Sequence, residues 1–65
     1  MLFKQLRSEN GITQKVLADK LGIKQSAIAM WETGKSKPRT DDLYAIAAVL
    51  NVSVDKVLDC FKPAQ

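Results

Sequence analysis

The chain contains no histidine and a single cysteine, Cys60, among its 65 residues. The lack of histidine excludes metal sites with imidazole ligands and nucleophiles that an imidazole activates. A lone cysteine cannot form a disulfide within the chain, so Cys60 is expected to be a small apolar side chain near the last helix, with an intermolecular bridge as the alternative. No nucleophile–base pair, metal-ligand cluster or phosphate loop is recognisable, and we expect neither an enzyme nor a cofactor.

Long apolar runs are also missing. No segment approaches the roughly 20 apolar residues of a membrane span, and no signal-peptide pattern is present. Met1 leads straight into an amphipathic segment, so we expect no targeting extension and a soluble, cytoplasmic protein. A chain of 65 residues has room for one domain, spanning residues 1–65. Such a domain buries only about 60% of its unfolded surface, which favours local helical contacts.

Charge is unevenly distributed along the chain, whose formal net charge is +3. Residues 23–39 carry four cations and one acid, whereas residues 40–65 carry two cations and four acids. A polyanion is the natural partner of a positive central segment, although an ordinary solvated face can have the same composition.

Apolar residues recur at helical spacing in five short segments, which are separated by Gly11, Gly22, Gly34, Pro38 and Asn51. Alternation of apolar and polar residues never continues long enough to indicate a strand. The sequence therefore predicts an all-α fold with five helices.

Local chemistry indicates where these helices begin and end. Thr13, Thr40 and Ser53 are expected N-caps, because a hydroxyl can accept a hydrogen bond from an unpaired amide of the first turn. Gly22 and Gly34 follow the second and third segments, where a helix commonly ends in a left-handed residue.

Residues 14–33, QKVLADKLGIKQSAIAMWET, read as two short helices that meet at a glycine. Apolar or very small residues stand where a helix-turn-helix unit needs them, namely Leu17, Ala18, Leu21, Gly22, Ile23, Ile28 and Trp31. Ala18 would allow the two helices to cross closely. Trp31 follows Ile28 by three residues, which favours core packing over stacking on a base. Such a unit projects its second helix, which can enter the major groove of DNA.

The stretch GITQKVLADKLGIKQSAIAMWETGKSKP resembles the helix-turn-helix of the Xre family, the Cro and lambda-repressor-like regulators of phages and bacteria. The similarity extends from LRSENGITQ to LNVSVDKVL and rests on TQ, LA, a turn glycine, QS, WE and GK in register. The resemblance implies a compact five-helix lambda-repressor-like domain that binds double-stranded operator DNA. It also implies a homodimer on a palindromic operator.

Three residues of the third helix match family positions that read bases, namely Gln25, Ser26 and Met30, and Ala29 beside them would permit close approach. A glutamine amide can bond bidentately to adenine, and a short hydroxyl can serve several bases. Met30 stands where the family often has a long polar residue. Because methionine is apolar, we expect it to contact a thymine methyl group. The alternative is that Gln25 and Ser26 are a polar helix start exposed to water.

Other residues match family positions that contact the DNA backbone. Gln14 is expected to touch a phosphate and to brace Gln25. Lys24 departs from the family, which commonly has a Ser or Thr cap there, and either a phosphate contact or plain solvation explains it. The loop after the third helix is expected to lie along the sugar-phosphate backbone or else to be a solvated loop; its polar residues are Lys35, Ser36, Lys37 and Arg39.

Two further sets of residues have structural roles in the family. Arg7 and Glu32 match positions where an arginine of the first helix pairs with a glutamate near the end of the third. The C-terminal end offers apolar surface for a possible dimer interface, formed by Val52, Val54, Leu58, Cys60 and Phe61.

These observations predict a bacterial or phage-encoded transcriptional regulator. A repressor that acts by occupying its operator is favoured, because no further segment is available to contact polymerase or an inducer. The alternative is an antitoxin-type interaction module that masks a toxin partner with its C-terminal helices. An exposed apolar C-terminal patch would favour that second interpretation.

Overall fold

The computed structural model describes residues 2–62, which form five helices and no strand. The helices are α1 (Phe3–Glu9), α2 (Gln14–Leu21), α3 (Gln25–Thr33), α4 (Thr40–Leu50) and α5 (Val54–Asp59). The predicted all-α fold with five helices is confirmed. None of these helices combines the length and the apolar character needed to cross a bilayer.

Hydroxyl caps begin two of the helices as expected. Thr13 Oγ1 accepts from the amide of Val16 at 3.1 Å, and Ser53 Oγ accepts from the amide of Lys56 at 3.2 Å. The bond to Thr13 satisfies an amide of the first turn that lacks a helical partner. The amide of Lys56 is shared, because it also donates to the carbonyl oxygen of Ser53 at 3.1 Å.

The predicted cap at Thr40 is wrong. Thr40 is already the first residue of α4, and Arg39 occupies the N-cap position. The carboxylate of Asp42, three residues after the N-cap, accepts a hydrogen bond from the amide of Arg39 at 2.9 Å. This bond stabilises the first turn of α4. Asp41 and Asp42 also place negative charge at the positive end of the helix dipole.

Two glycines shape the helix-turn-helix region. Gly22 follows α2 with φ +71°, and Gly34 follows α3 with φ +82°. Both angles lie in the left-handed region, which a side chain with a Cβ disfavours. The chain therefore reverses sharply after α2, and α3 packs against α2 immediately afterwards.

One apolar core holds the five helices together. Its buried members are Phe3, Leu6, Leu17, Ala18, Ile28, Trp31, Ile46, Ala47, Leu50 and Val57. Trp31 is 8% exposed and meets the ring of Phe3 edge-on, with centroids 6.3 Å apart. Trp31 thus belongs to the core, and the packing of Phe3 on Trp31 joins α1 to α3.

Candidate functional site

Four side chains form the outer side of α3, which is polar in its first turn and apolar one turn later. Gln25 and Ser26 lie in its first turn and are exposed. Ala29 is half-buried and Met30 is 41% exposed one turn further along. Gln25 and Ser26 precede Ala29 and Met30 by about one helical turn, which puts the four side chains on one side of the helix. The opposite side buries Ile28 in the core, so α3 is held by one face and offers the other to solvent.

Gln14 connects this surface to the body of the protein. Gln25 Nε2 donates to Gln14 Oε1 at 3.2 Å, and Gln14 Nε2 donates to Glu32 Oε1 at 2.9 Å. The bracing of Gln25 expected of Gln14 is therefore present as a hydrogen bond. No pattern in the sequence predicts the contact between Gln14 and Glu32.

Arg7 and Glu32 form an ion pair between α1 and α3. Arg7 Nε donates to Glu32 Oε2 at 2.6 Å, and Arg7 Nη1 donates to the carbonyl oxygen of Ile12 at 2.7 Å. The two side chains are only 9% and 5% exposed. Within residues 2–62, every buried side-chain nitrogen and oxygen has a hydrogen-bond partner. The buried polar atoms of this ion pair are therefore all hydrogen-bonded, as is usual for polar groups inside a protein.

Lys24 precedes α3 without capping it. Its backbone is extended, and no side chain accepts from the first amides of the helix. The lysine side chain is exposed and offers its ammonium group to solvent beside Gln25.

The loop after α3 carries most of the remaining positive charge. The amides of Lys35 and Ser36 donate to the carbonyl oxygen of Met30, which ties the start of the loop to the end of α3. Lys35, Lys37 and Arg39 are exposed, whereas Ser36 is half-buried.

None of the four cations in residues 23–39 takes part in an ion pair within the described part of the chain. The acid of this segment, Glu32, is neutralised by Arg7. The positive field around α3 is therefore not cancelled by neighbouring carboxylates.

The predicted dimer surface divides into two kinds of residue. Leu58 is 40% exposed, whereas Val52, Val54, Cys60 and Phe61 are half-buried and pack against the core. The ring of Phe61 lies 5.2 Å from the ring of Phe3. Much of the apolar C-terminal surface therefore serves the monomer.

The cysteine is not arranged for reactivity. Cys60 Sγ donates to the carbonyl oxygen of Lys56 at 3.5 Å, and partial burial raises the pKa of its thiol. A raised pKa keeps the sulfur protonated and weakly nucleophilic at neutral pH. No group of acids and thiols in residues 2–62 is placed to hold a metal ion.

Comparison with known proteins gives a consistent result. A family model described as helix-turn-helix matches residues 3–57. The HTH-type transcriptional activator BcrR of Enterococcus faecalis is 36% identical over 55 residues, which cover 85% of this chain and 27% of that protein. The uncharacterized HTH-type transcriptional regulator YobD of Bacillus subtilis is 38% identical over 55 residues, which cover 85% of this chain and 49% of that protein.

An archaeal relative is similar in length to the present chain. An uncharacterized HTH-type transcriptional regulator of Archaeoglobus fulgidus is 35% identical over 52 residues, which cover 80% of this chain and 74% of that protein. By contrast, the chain spans about half or less of BcrR and YobD. No solved structure gives a significant match.

Proposed function

Because this chain belongs to the Xre family of helix-turn-helix proteins, we propose that it is a transcriptional regulator that binds double-stranded DNA through the exposed face of α3. The observation that carries the proposal is the position of Gln25 and Ser26. Both side chains are exposed in the first turn of a helix whose other face is buried. An α-helix presented in this way fits the width of the major groove of B-DNA.

The base-reading surface consists of Gln25, Ser26, Ala29 and Met30. Gln25 and Ser26 supply hydrogen-bonding groups for base edges, and Met30 supplies apolar contact for a thymine methyl group. Ala29 lets the backbone of α3 approach the bases closely, because its side chain is small.

Cations on either side of α3 bind the phosphates. Lys24 precedes the helix, and Lys35, Lys37 and Arg39 follow it, all exposed and free of intramolecular ion pairs within residues 2–62. Gln14 and Ser36 add neutral hydrogen-bonding groups for the phosphates. Such contacts position the protein on the duplex and make its affinity fall with salt, without reading sequence.

The protein acts as a repressor by occupying an operator that overlaps a promoter. This mechanism requires only the DNA-binding surface just described. The relative BcrR carries the name of an activator, so a promoter-reporter measurement with and without the protein is needed to give the sign of regulation. The relatives named above are transcriptional regulators, which favours DNA binding over the toxin-masking alternative. A DNA-binding role requires a location with the genome, in the cytoplasm, and the relatives from Enterococcus faecalis and Bacillus subtilis support a bacterial or phage-encoded protein.

Two copies bind a palindromic operator, and each copy is one DNA-binding domain that spans residues 1–65. The exposed Leu58, next to the half-buried Val54 and Phe61, supports a small two-fold contact at the C-terminal end. Such a contact would set the two α3 helices about 34 Å apart, one turn of DNA.

Selection of bound sequences from random duplex DNA tests the proposal. We expect enrichment of a palindrome with half-sites centred about 10 base pairs apart. Absence of any enriched sequence at low salt would contradict sequence-specific binding, and a single unrepeated half-site would contradict the dimer.

A further inference from the structure

We propose that Glu32 is a positioning residue that makes Gln25 select adenine over guanine. This inference rests on the proposed DNA-binding function and adds a specificity device to it. It follows from the direction of the hydrogen bonds that link Arg7, Glu32, Gln14 and Gln25, hereafter the relay. Each member of the relay touches the next, but only Gln25 would touch a base.

The direction of the relay is set at its buried end. A guanidinium has only donors, and an ionised carboxylate has only acceptors. Arg7 and Glu32 are paired at 2.6 Å with side chains 9% and 5% exposed. Arg7 Nη2 also donates to Glu32 Oε1 at 3.4 Å. The other partner of Oε1 must likewise be a donor, and that partner is Gln14 Nε2 at 2.9 Å.

The same logic passes through the two amides. Gln14 turns its Nε2 towards Glu32 and therefore its Oε1 towards Gln25. Gln25 must then donate its Nε2 to Gln14, as it does at 3.2 Å. Gln25 is left with its Oε1 and its second N–H for an external partner.

That pair of groups matches adenine. The major-groove edge of adenine has one donor, at N6, and one acceptor, at N7, whereas guanine has two acceptors, O6 and N7. An outward oxygen and one outward N–H complement adenine at both atoms. Against guanine, the oxygen of Gln25 would face O6, which is a repulsive contact between two acceptors.

Reversing the relay would reverse the preference. In Glu32→Gln, the amide oxygen should take the place of Oε2, because Arg7 Nε donates there at 2.6 Å, whereas Arg7 Nη2 lies 3.4 Å from Oε1. The new NH₂ group then faces Gln14. Gln14 would then offer Oε1 to residue 32 and Nε2 to Gln25, and Gln25 would accept through Oε1. Both N–H groups of Gln25 would point outward, which suits the two acceptors of guanine.

The DNA experiment compares wild type, Glu32→Gln and Glu9→Gln. Glu9 is the other glutamate of the chain and is exposed on α1, so its variant carries the same change of charge without touching the relay. The base pair read by Gln25 is identified as the one whose preference disappears in Gln25→Ala. At that base pair the ratio of affinities for adenine and guanine is measured for each protein.

We expect wild type and Glu9→Gln to prefer adenine by about tenfold, the scale of one good bidentate contact. Glu32→Gln should lose this preference and shift towards guanine. An unchanged ratio in Glu32→Gln, or an equal loss in Glu9→Gln, would overturn the inference. A wild-type preference for guanine at this position would also overturn it while leaving the proposed function intact.

A second measurement needs no DNA. Through-hydrogen-bond NMR couplings in labelled protein should connect Gln25 Nε2 to the side-chain carbonyl carbon of Gln14 in wild type. In Glu32→Gln the coupling should run from Gln14 Nε2 to the side-chain carbonyl carbon of Gln25. The same direction in both proteins would refute the role of Glu32 even if DNA binding were sequence-specific. Failure of wild type to select any DNA would instead remove the proposed function, with the relay still tested by the couplings.

A further variant leaves the Arg7–Glu32 ion pair intact, so that loss of the pair cannot unfold the protein. Gln14→Leu cuts the relay but leaves Arg7 and Glu32 in contact, so the amide of Gln25 can rotate freely. The ratio of affinities for adenine and guanine should fall towards one. A ratio equal to that of wild type would show that Gln25 does not depend on the relay.

Discussion

Arg7 and Glu32 lie 25 residues apart in the chain and form a 2.6 Å hydrogen-bonded ion pair between α1 and α3. Arg7 also donates to the carbonyl oxygen of Ile12, which lies in the connection between α1 and α2. One guanidinium thus joins three parts of the fold at the end of α3 opposite Gln25. The stability of the fold and the placement of its exposed helix are therefore linked.

Replacing Arg7 by methionine should lower the free energy of unfolding by about 3 kcal/mol or more, because the Glu32 carboxylate loses its cation in a buried position. Urea unfolding followed by circular dichroism measures the effect. Lys15→Met is the matched control, since it breaks a pair with Asp19 whose side chains are 75% and 67% exposed. That loss should be no more than about 0.5 kcal/mol. Equal losses in the two variants would show that burial of the Arg7 pair has no energetic weight.

Gln25→Ala should reduce affinity for the selected operator by about 1–3 kcal/mol and relax preference at one base pair. The reason is that the variant loses a bidentate contact to a base edge. Gln25 makes this contact on the operator and not on random DNA. Fluorescence anisotropy with operator and random duplexes measures the difference. Gln5→Ala, an exposed glutamine on α1, should leave both affinities unchanged. An equal loss on both duplexes in Gln25→Ala would argue against base reading.

Lys37→Ala should weaken binding to operator and random DNA alike. Removal of one phosphate contact should also make the slope of log K against log salt shallower by about 0.9. Lys56→Ala, which removes an exposed lysine from α5, carries the same charge change away from α3 and should reduce the slope much less. A variant of Lys37 that lost only operator preference would contradict the phosphate assignment.

Ala18→Leu should destabilise the protein by about 1–3 kcal/mol and disturb the seating of α3 on α2, because Ala18 is 2% exposed in the core. Melting temperature and operator affinity should both fall. Ala48→Leu places the same side chain on an exposed position of α4 and is expected to change neither appreciably. If Ala18→Leu melted and bound as wild type does, the helices would not cross closely at this residue.

Local chemistry was readable where a residue acts on its immediate neighbours. The hydroxyls of Thr13 and Ser53 cap α2 and α5, and Gly22 and Gly34 end α2 and α3 with positive φ. The prediction for Thr40 was wrong because Arg39, the residue before it, occupies the N-cap position. The bond from the amide of Arg39 to the Asp42 carboxylate places the helix start one residue earlier.

The amino-acid sequence by itself determined the helical periodicity, most of the helix ends and the family of this protein, since each depends on residues close together in the chain. The family resemblance already implied that Gln14 touches Gln25, whereas the tertiary structure alone decided that Gln14 also touches Glu32, 18 residues further along the chain. No local signal encodes that contact, because the close packing of α1, α2 and α3 brings the side chains together. The identity of residue 25 also does not determine whether its amide oxygen or its NH₂ group faces Gln14, since that orientation depends on the Glu32 carboxylate.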